Sequence, residues 1–120
     1  MKQESREWLE KGEEDLEAAR ILAENGSPET CMFHLQQAVE KAFKGLLIER
    51  EEDYSFTHSL QKLDNEAGSP EKFRKMLQDL DTAYTAARYP DAGETDVEEV
   101  DERVEETEEL FKWIKTQLKR

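Results

Sequence analysis

Val97, Val100, Val104, Thr107, Phe111, Ile114 and Leu118 recur at alternating spacings of three and four through the most acidic stretch of the chain, with Leu110 and Trp113 beside them. A strand repeats every two residues, so this register is that of an α-helix with one apolar seam. Phe73, Leu77, Leu80, Tyr84 and Ala87 repeat the pattern at spacings of four, three, four and three. Trp8, Leu9, Leu16, Ala19, Leu22 and Ala23 fall mostly on one side of a helical wheel, and Leu35, Ala38, Val39, Ala42, Phe43, Leu46 and Leu47 form a wider arc. A chain with 39% charged and 36% hydrophobic residues would border on disorder without such seams, but burial along them offsets the ordering entropy. Only 5 Gly and 3 Pro are present, which argues against a strand-rich fold with many turns.

Turn chemistry divides the seams. The first helix runs from about Gln3 to Glu24 and stops at Asn25-Gly26-Ser27-Pro28, a C-terminal glycine followed by a Ser cap and a Pro at the first position of the next helix. The second runs from Pro28 to about Arg50, and the stretch from Glu51 to Phe56 breaks its pattern. Thr57 or Ser55 is positioned to cap a short third helix carrying Leu60 and Leu63 and ending near Ala67-Gly68. Ser69-Pro70-Glu71 repeats the Ser-Pro start signal and opens a fourth helix to about Arg88, where Tyr89-Pro90 ends it because Pro90 pushes Tyr89 out of the α region. The last helix spans about Asp96 to Gln117.

These elements predict an all-α fold: an antiparallel up-and-down bundle of four helices of about 20 residues each, with one additional short helix between the second and fourth. The 120 residues are enough for one core, so a single helical-bundle domain over 1–120 is expected. The arc of the second helix is wider than one packing neighbour requires, which makes it the central helix. The combined apolar surface also predicts a homodimer.

The formal net charge of -13 repels a nucleic-acid backbone and excludes nonspecific nucleic-acid binding unless the few basic residues gather at one place. The same acidity serves solubility or salt adaptation equally well. Cys31 is the only cysteine, so no intramolecular disulfide forms. No apolar run approaches the roughly 20 residues that span a bilayer, and the charged N-terminal stretch lacks a signal-peptide core. A cytoplasmic protein without membrane contact is expected.

Three strings carry further information: Phe33-His34-Leu35-Gln36-Gln37-Ala38-Val39-Glu40-Lys41-Ala42-Phe43-Lys44, then Thr57-His58-Ser59-Leu60, then Ala87-Arg88-Tyr89-Pro90-Asp91. Together with Trp8 and Asp15-Leu16 they resemble, in order and approximate spacing, the prokaryotic stand-alone HEPN domain (higher eukaryotes and prokaryotes nucleotide-binding), over nearly the whole chain. The resemblance implies a helical bundle, frequent dimerisation, and pairing with a minimal nucleotidyltransferase in two-component, often toxin and antitoxin, systems. It also implies one of two activities. Many such domains are metal-independent ribonucleases built on an Arg followed about four to six residues later by a His, and others bind a nucleotide or substrate. Arg88 matches the Arg, but Ala92, Gly93 and Glu94 stand where the His is expected.

Asp15 sits two turns after Trp8, close to the core-facing stripe, and a carboxylate there needs a partner such as Arg88 or Lys41, unless it merely reaches solvent. Gln37, Lys41 and Lys44 share one strip of the second helix, with Glu40 placed for an i,i+4 pair to Lys44. With His34 they form a local patch able to hydrogen-bond a phosphate or a base edge, or else an ordinary solvated face. Arg88 either binds phosphate or is held by Asp91 in a structural corner. His34 and His58 are the only histidines and the only groups titrating near neutrality available for acid–base chemistry. Cys31 and His34 are too few for a metal site, so no metal and no cofactor are expected. Trp8, Tyr84, Phe111 and Trp113 fit the seams as core residues.

The leading expectation is a noncatalytic HEPN-type subunit that binds a nucleotide or a co-encoded nucleotidyltransferase through Asp15, His34, Gln37, Lys41, Lys44 and Arg88. The alternatives are a ribonuclease toxin acting on RNA with Arg88 and a displaced His58, and a bundle that serves protein interaction alone.

Overall fold

The computed structural model describes residues 1–51, 56–87 and 97–119, with side-chain detail in the last segment from residue 99 onward. Five α-helices follow one another: α1 Gln3–Glu24, α2 Pro28–Glu49, α3 Leu60–Ala67, α4 Arg74–Ala86 and α5 Val97–Leu118, with a 3₁₀ turn Glu71–Phe73 leading into α4. The all-α bundle expected from the seams is the observed architecture, and no helix among the described residues is long and apolar enough to cross a membrane.

The turn between α1 and α2 forms as its residues dictate. Gly26 adopts φ +74, and the Ser27 amide reaches back to the Leu22 carbonyl at 2.9 Å, the six-to-one bond that closes a helix past a left-handed glycine. Ser27 stands at the N-cap of α2 but its side chain makes no capping bond, leaving Pro28 at the first turn as the start signal.

α3 is capped by Ser59 rather than by Thr57 or Ser55. The Ser59 hydroxyl accepts from the Lys62 amide at 3.3 Å, while Thr57 instead takes the Ser59 amide at 3.0 Å; Ser55 lies outside the described residues. Ser69 does not cap the next helix either. Its amide and hydroxyl both turn back to the Asp64 carboxylate, so the chain enters through the 3₁₀ turn and α4 is 13 residues long. The bundle therefore has three helices of 22 residues, α1, α2 and α5, rather than four of about 20. The expected end at Arg88 and the Tyr89-Pro90 stop lie outside the described residues.

α2 is central, and each of the other four helices packs on it. Leu35, Ala38, Val39, Ala42, Phe43, Leu46 and Leu47 are all fully buried, so the wide arc is covered within one chain. Among the described residues only Met1, Ile21 and Phe56 are large exposed hydrophobics. Two glycines let α1 and α2 approach closely. A Cβ on Gly12 would lie 2.9 Å from the Ala38 carbonyl oxygen, and one on Gly45 would lie 3.0 Å from the Ser5 carbonyl oxygen. Phe111 is buried as expected. Trp8, Tyr84 and Trp113 are only half-buried: each presents one side to the bundle and the other outward, which seam spacing alone does not separate from full burial.

Arg50 closes the far end, its guanidinium donating to the Ala67 carbonyl at 2.8 Å and to Gln117 Oε1 at 3.3 Å. Arg103 of α5, 7% exposed, joins α4 through Asp79 at 2.7 Å and meets Glu106 at 2.7 Å. Burial alone would lower its pKa, but Glu106, Asp79 and Glu99 outweigh that and raise it.

Candidate functional site

Two rows of residues along α2 bring the polar groups together. Phe33, Gln37 and Lys41 follow at intervals of four, and Gln36, Glu40 and Lys44 form the adjoining row. Lys41 of the first row meets α1. There Asp15, its side chain 14% exposed, receives Lys41 Nζ on one carboxylate oxygen at 2.5 Å and stands 2.9 Å from His34 Nδ1 on the other. The expected partner for Asp15 is thus Lys41, joined by His34; Arg88, the other candidate, lies outside the described residues, as does Asp91.

The second row faces the start of α3. Glu40, 6% exposed, accepts from Lys44 Nζ at 3.0 Å and lies 2.9 Å from His58 Nδ1. Gln36, fully buried, donates through Nε2 to the His58 carbonyl at 2.6 Å and to Glu40 Oε1 at 3.3 Å. Its own carbonyl oxygen accepts from Gln37 Nε2 at 2.7 Å. Lys44 does not share the solvent-facing strip with Gln37 and Lys41 that helical spacing suggested. It is 9% exposed, turned to Glu40, with its ammonium 5.5 Å from the Trp8 ring centroid.

An aromatic run borders both rows. The Phe33 and Tyr84 rings stack with centroids 5.8 Å apart and planes 12° apart, and Tyr84 stacks on His58 at 5.3 Å and 30°. The His34 ring meets the edge of Phe33 at 5.7 Å. Tyr84 on α4 therefore belongs to the site and not to the core. Asp81, one turn earlier, accepts the Leu60 amide at 2.8 Å, the Gln61 amide at 3.2 Å and the Ser59 hydroxyl at 3.3 Å. It occupies the N-terminus of α3, where backbone donors lack intrahelical partners, and so fixes the segment that carries His58.

Asp81 and Phe33 are absent from the sequence-based set. Phe33 had a legible signal, being one turn before Gln37; Asp81 had none, since it acts on a helix about 20 residues away in sequence. The site is electrically balanced. Each lysine faces one carboxylate, so the patch is not a net basic island in an acidic chain. No group of three His, Cys, Asp or Glu residues suited to a metal occurs among the described residues. Cys31 is buried, its thiol donating to the Ala19 carbonyl at 3.1 Å, and burial pushes its pKa up to about 11.

Two grooves lie elsewhere. One of about 370 Å³ runs between α1 and α5 over Leu16 and Phe111, strapped by Arg20–Glu108 at 3.1 Å and Lys115–Glu13 at 2.7 Å. The other, about 270 Å³, flanks Trp8 with Glu4, Glu7 and Lys11. Neither includes a site residue anticipated from the sequence.

Comparison with known proteins places the chain in a family. The family model described as HEPN domain matches residues 5–117. Among solved structures, an archaeal HEPN homologue, ST0689, is 30% identical with a TM-score of 0.80, over 98% of this chain and 99% of its own. The crystal structure of TT1696 from Thermus thermophilus is 25% identical with a TM-score of 0.84, over 97% of this chain and 99% of its own. No curated protein sequence matches the chain.

Proposed function

The chain belongs to the HEPN domain family, and from that premise we propose that it acts as a noncatalytic HEPN-type subunit. It binds a nucleotide or a co-encoded partner such as a minimal nucleotidyltransferase, in a toxin and antitoxin pair or a related two-component system. The observation that carries this reading is the symmetry of the two rows on α2: Asp15 and Glu40 each hold one lysine and one histidine, beside a partly exposed aromatic run. Side chains already fixed by buried partners lose little freedom when a ligand arrives, which favours binding. Lys41, with 26% of its side chain exposed, is the cation available to a phosphate, and Lys44 supports Glu40 from beneath. The absence of a histidine after Arg88 at the family spacing supports the noncatalytic reading.

Titration calorimetry with ribonucleotides tests the ligand arm. Lys41→Ala should weaken binding by the loss of a charge-assisted hydrogen bond, about 1.5–3 kcal/mol, and by more than it lowers stability. Equal affinities for parent and variant would remove Lys41 from the site. Co-purification with the product of the adjacent gene tests the partner arm.

One observation favours the ribonuclease reading as a second. His58 gives Nδ1 to a buried carboxylate while its side chain remains 59% exposed, the disposition of a positioned general base. RNA cleavage in EDTA that is lost in both His58→Ala and Arg88→Ala would replace the noncatalytic reading; an intact RNA pool would retain it.

A further inference from the structure

One buried charge sets the direction of the hydrogen bonds that Gln36, Gln37 and His58 make. The Glu40 carboxylate is paired with the Lys44 ammonium and can only accept. Gln36 must therefore turn its amide nitrogen toward Glu40 and toward the His58 carbonyl, leaving its oxygen to Gln37. Gln37 must in turn present its nitrogen to that oxygen, so the Gln37 carbonyl oxygen takes no part in the network. His58 carries its proton on Nδ1, against Glu40, and its Nε2 is then an acceptor in the neutral ring. The same logic at Asp15 puts a His34 proton on Nδ1, and in the neutral ring His34 Nε2 is likewise an acceptor. None of these three acceptors, Gln37 Oε1, His58 Nε2 and His34 Nε2, takes a hydrogen bond from the described residues. Both histidine rings adjoin the stacked Phe33–Tyr84 pair, and Gln37 follows Phe33 by one turn of α2.

We propose that this face recognises the amino-bearing edge of a nucleobase: the ring lies along the aromatic run and its exocyclic amino group donates to the acceptors that Glu40 orients. The inference rests on the nucleotide-binding reading and names the part of the nucleotide that is selected. A face of acceptors repels a carbonyl edge, so a base with a keto oxygen in place of the amino group is disfavoured twice, once by the missing donor and once by opposed lone pairs. Phosphate contributes to affinity through Lys41 but not to the choice among bases. His58, more than half exposed, is the end of the run whose ring edge an incoming amino group can reach.

The test compares, by calorimetry on the full chain, adenosine monophosphate, purine-riboside monophosphate, which lacks only the amino group, and inosine monophosphate, which carries a carbonyl there. Cytidine and uridine monophosphates form the matching pyrimidine pair. The expected order is adenosine over purine riboside over inosine, with each step about 3- to 10-fold, the range of one net hydrogen bond, and cytidine over uridine by a similar factor. His58→Phe preserves a ring for stacking and removes one acceptor, and Gln37→Met removes another; at least one should flatten the preference while the shared phosphate affinity persists. Equal affinity for all five nucleotides, or a preference for the keto bases, overturns the acceptor face and leaves nucleotide binding standing. Failure of all five to bind overturns both.

Discussion

Replacing Glu40 by Leu probes the group on which the rest of the α2 face depends. Its side chain is 6% exposed and that of Lys44 is 11% exposed, with 3.0 Å between ammonium and carboxylate. Removing one member of such a pair leaves the other charge poorly solvated, a loss of about 3–5 kcal/mol in buried pairs. Lys44 keeps the Trp8 ring at 5.5 Å, an attraction of about 0.5–1 kcal/mol, so Glu40→Leu belongs at the low end, about 3 kcal/mol. Lys44→Met should cost less, about 2 kcal/mol, because Glu40 retains Gln36 and His58 as partners. The double variant removes both charges and fills similar volume, and Gln36 still donates to the His58 carbonyl. It should therefore lie within about 1 kcal/mol of the parent. Urea unfolding at constant m value measures all four proteins. If the double variant loses the sum of the two single losses, the residues are uncoupled and Glu40 does not organise this face.

Gly12→Ala should destabilise by about 1–2 kcal/mol in a thermal melt, since the new Cβ meets the Ala38 carbonyl at 2.9 Å and this strain exceeds the helix-propensity gain of about 1 kcal/mol; a rise in melting temperature would refute the close α1–α2 approach. Asp81→Ala should lower stability by about 1–2 kcal/mol, in line with a lost N-cap, and broaden the His58 side-chain resonances, whereas unchanged resonances would separate Asp81 from His58. Cys31, whose thiol burial pushes up to about 11, should resist alkylation at pH 8 until the protein is unfolded. Because the folded pKa exceeds the unfolded value, the thiol's contribution is complete below about pH 8.5 and is lost as pH rises through about 11; a Cys31→Ala protein with the same alkaline decline would exclude it as the source. Sedimentation at micromolar concentration should give the homodimer that the family resemblance implies, and a 14.0 kDa species alone would count against it.

The long helices were legible because each carries its own signal over many turns. Gln3–Glu24 for α1 agrees at both ends, where Asn25-Gly26 is a strong stop and the charged N-terminal turn has no competing structure. Local hydrogen bonding was less legible: whether Ser59 or Thr57 caps α3, or Ser69 turns forward to a helix or backward to Asp64, depends on competition between nearby acceptors of equal chemistry. At the site, Asp15 with Lys41 and Glu40 with Lys44 could be anticipated, the first because a carboxylate near the core needs a cation and the second from its i,i+4 spacing. Tyr84 could not be distinguished from core because a seam position at a bundle's edge has the same periodicity as one at its centre. Asp81 required knowing that α4 lies across the start of α3, a tertiary fact with no local trace.

The central position of α2 gives site and core a shared backbone, and this constrains how function can vary. Residues 35, 38, 39, 42, 43, 46 and 47 of α2 are fixed by packing, which leaves 33, 34, 36, 37, 40, 41 and 44 to face the neighbouring helix edges. Gln36 and Glu40 are at the boundary between the two sets: nearly as buried as the apolar residues, yet polar and fully occupied by hydrogen bonds. A substitution at either changes stability and acceptor direction together, whereas Gln37, Lys41, His34 and His58 reach the surface and can change with little effect on the core. Specificity can therefore be altered at the outer residues one at a time, while the direction of the network remains set by Glu40. The net charge of -13 disfavours phosphate approach over most of the chain's surface, so under the proposed reading a nucleotide's phosphate depends on Lys41 while its base depends on the acceptors beside it.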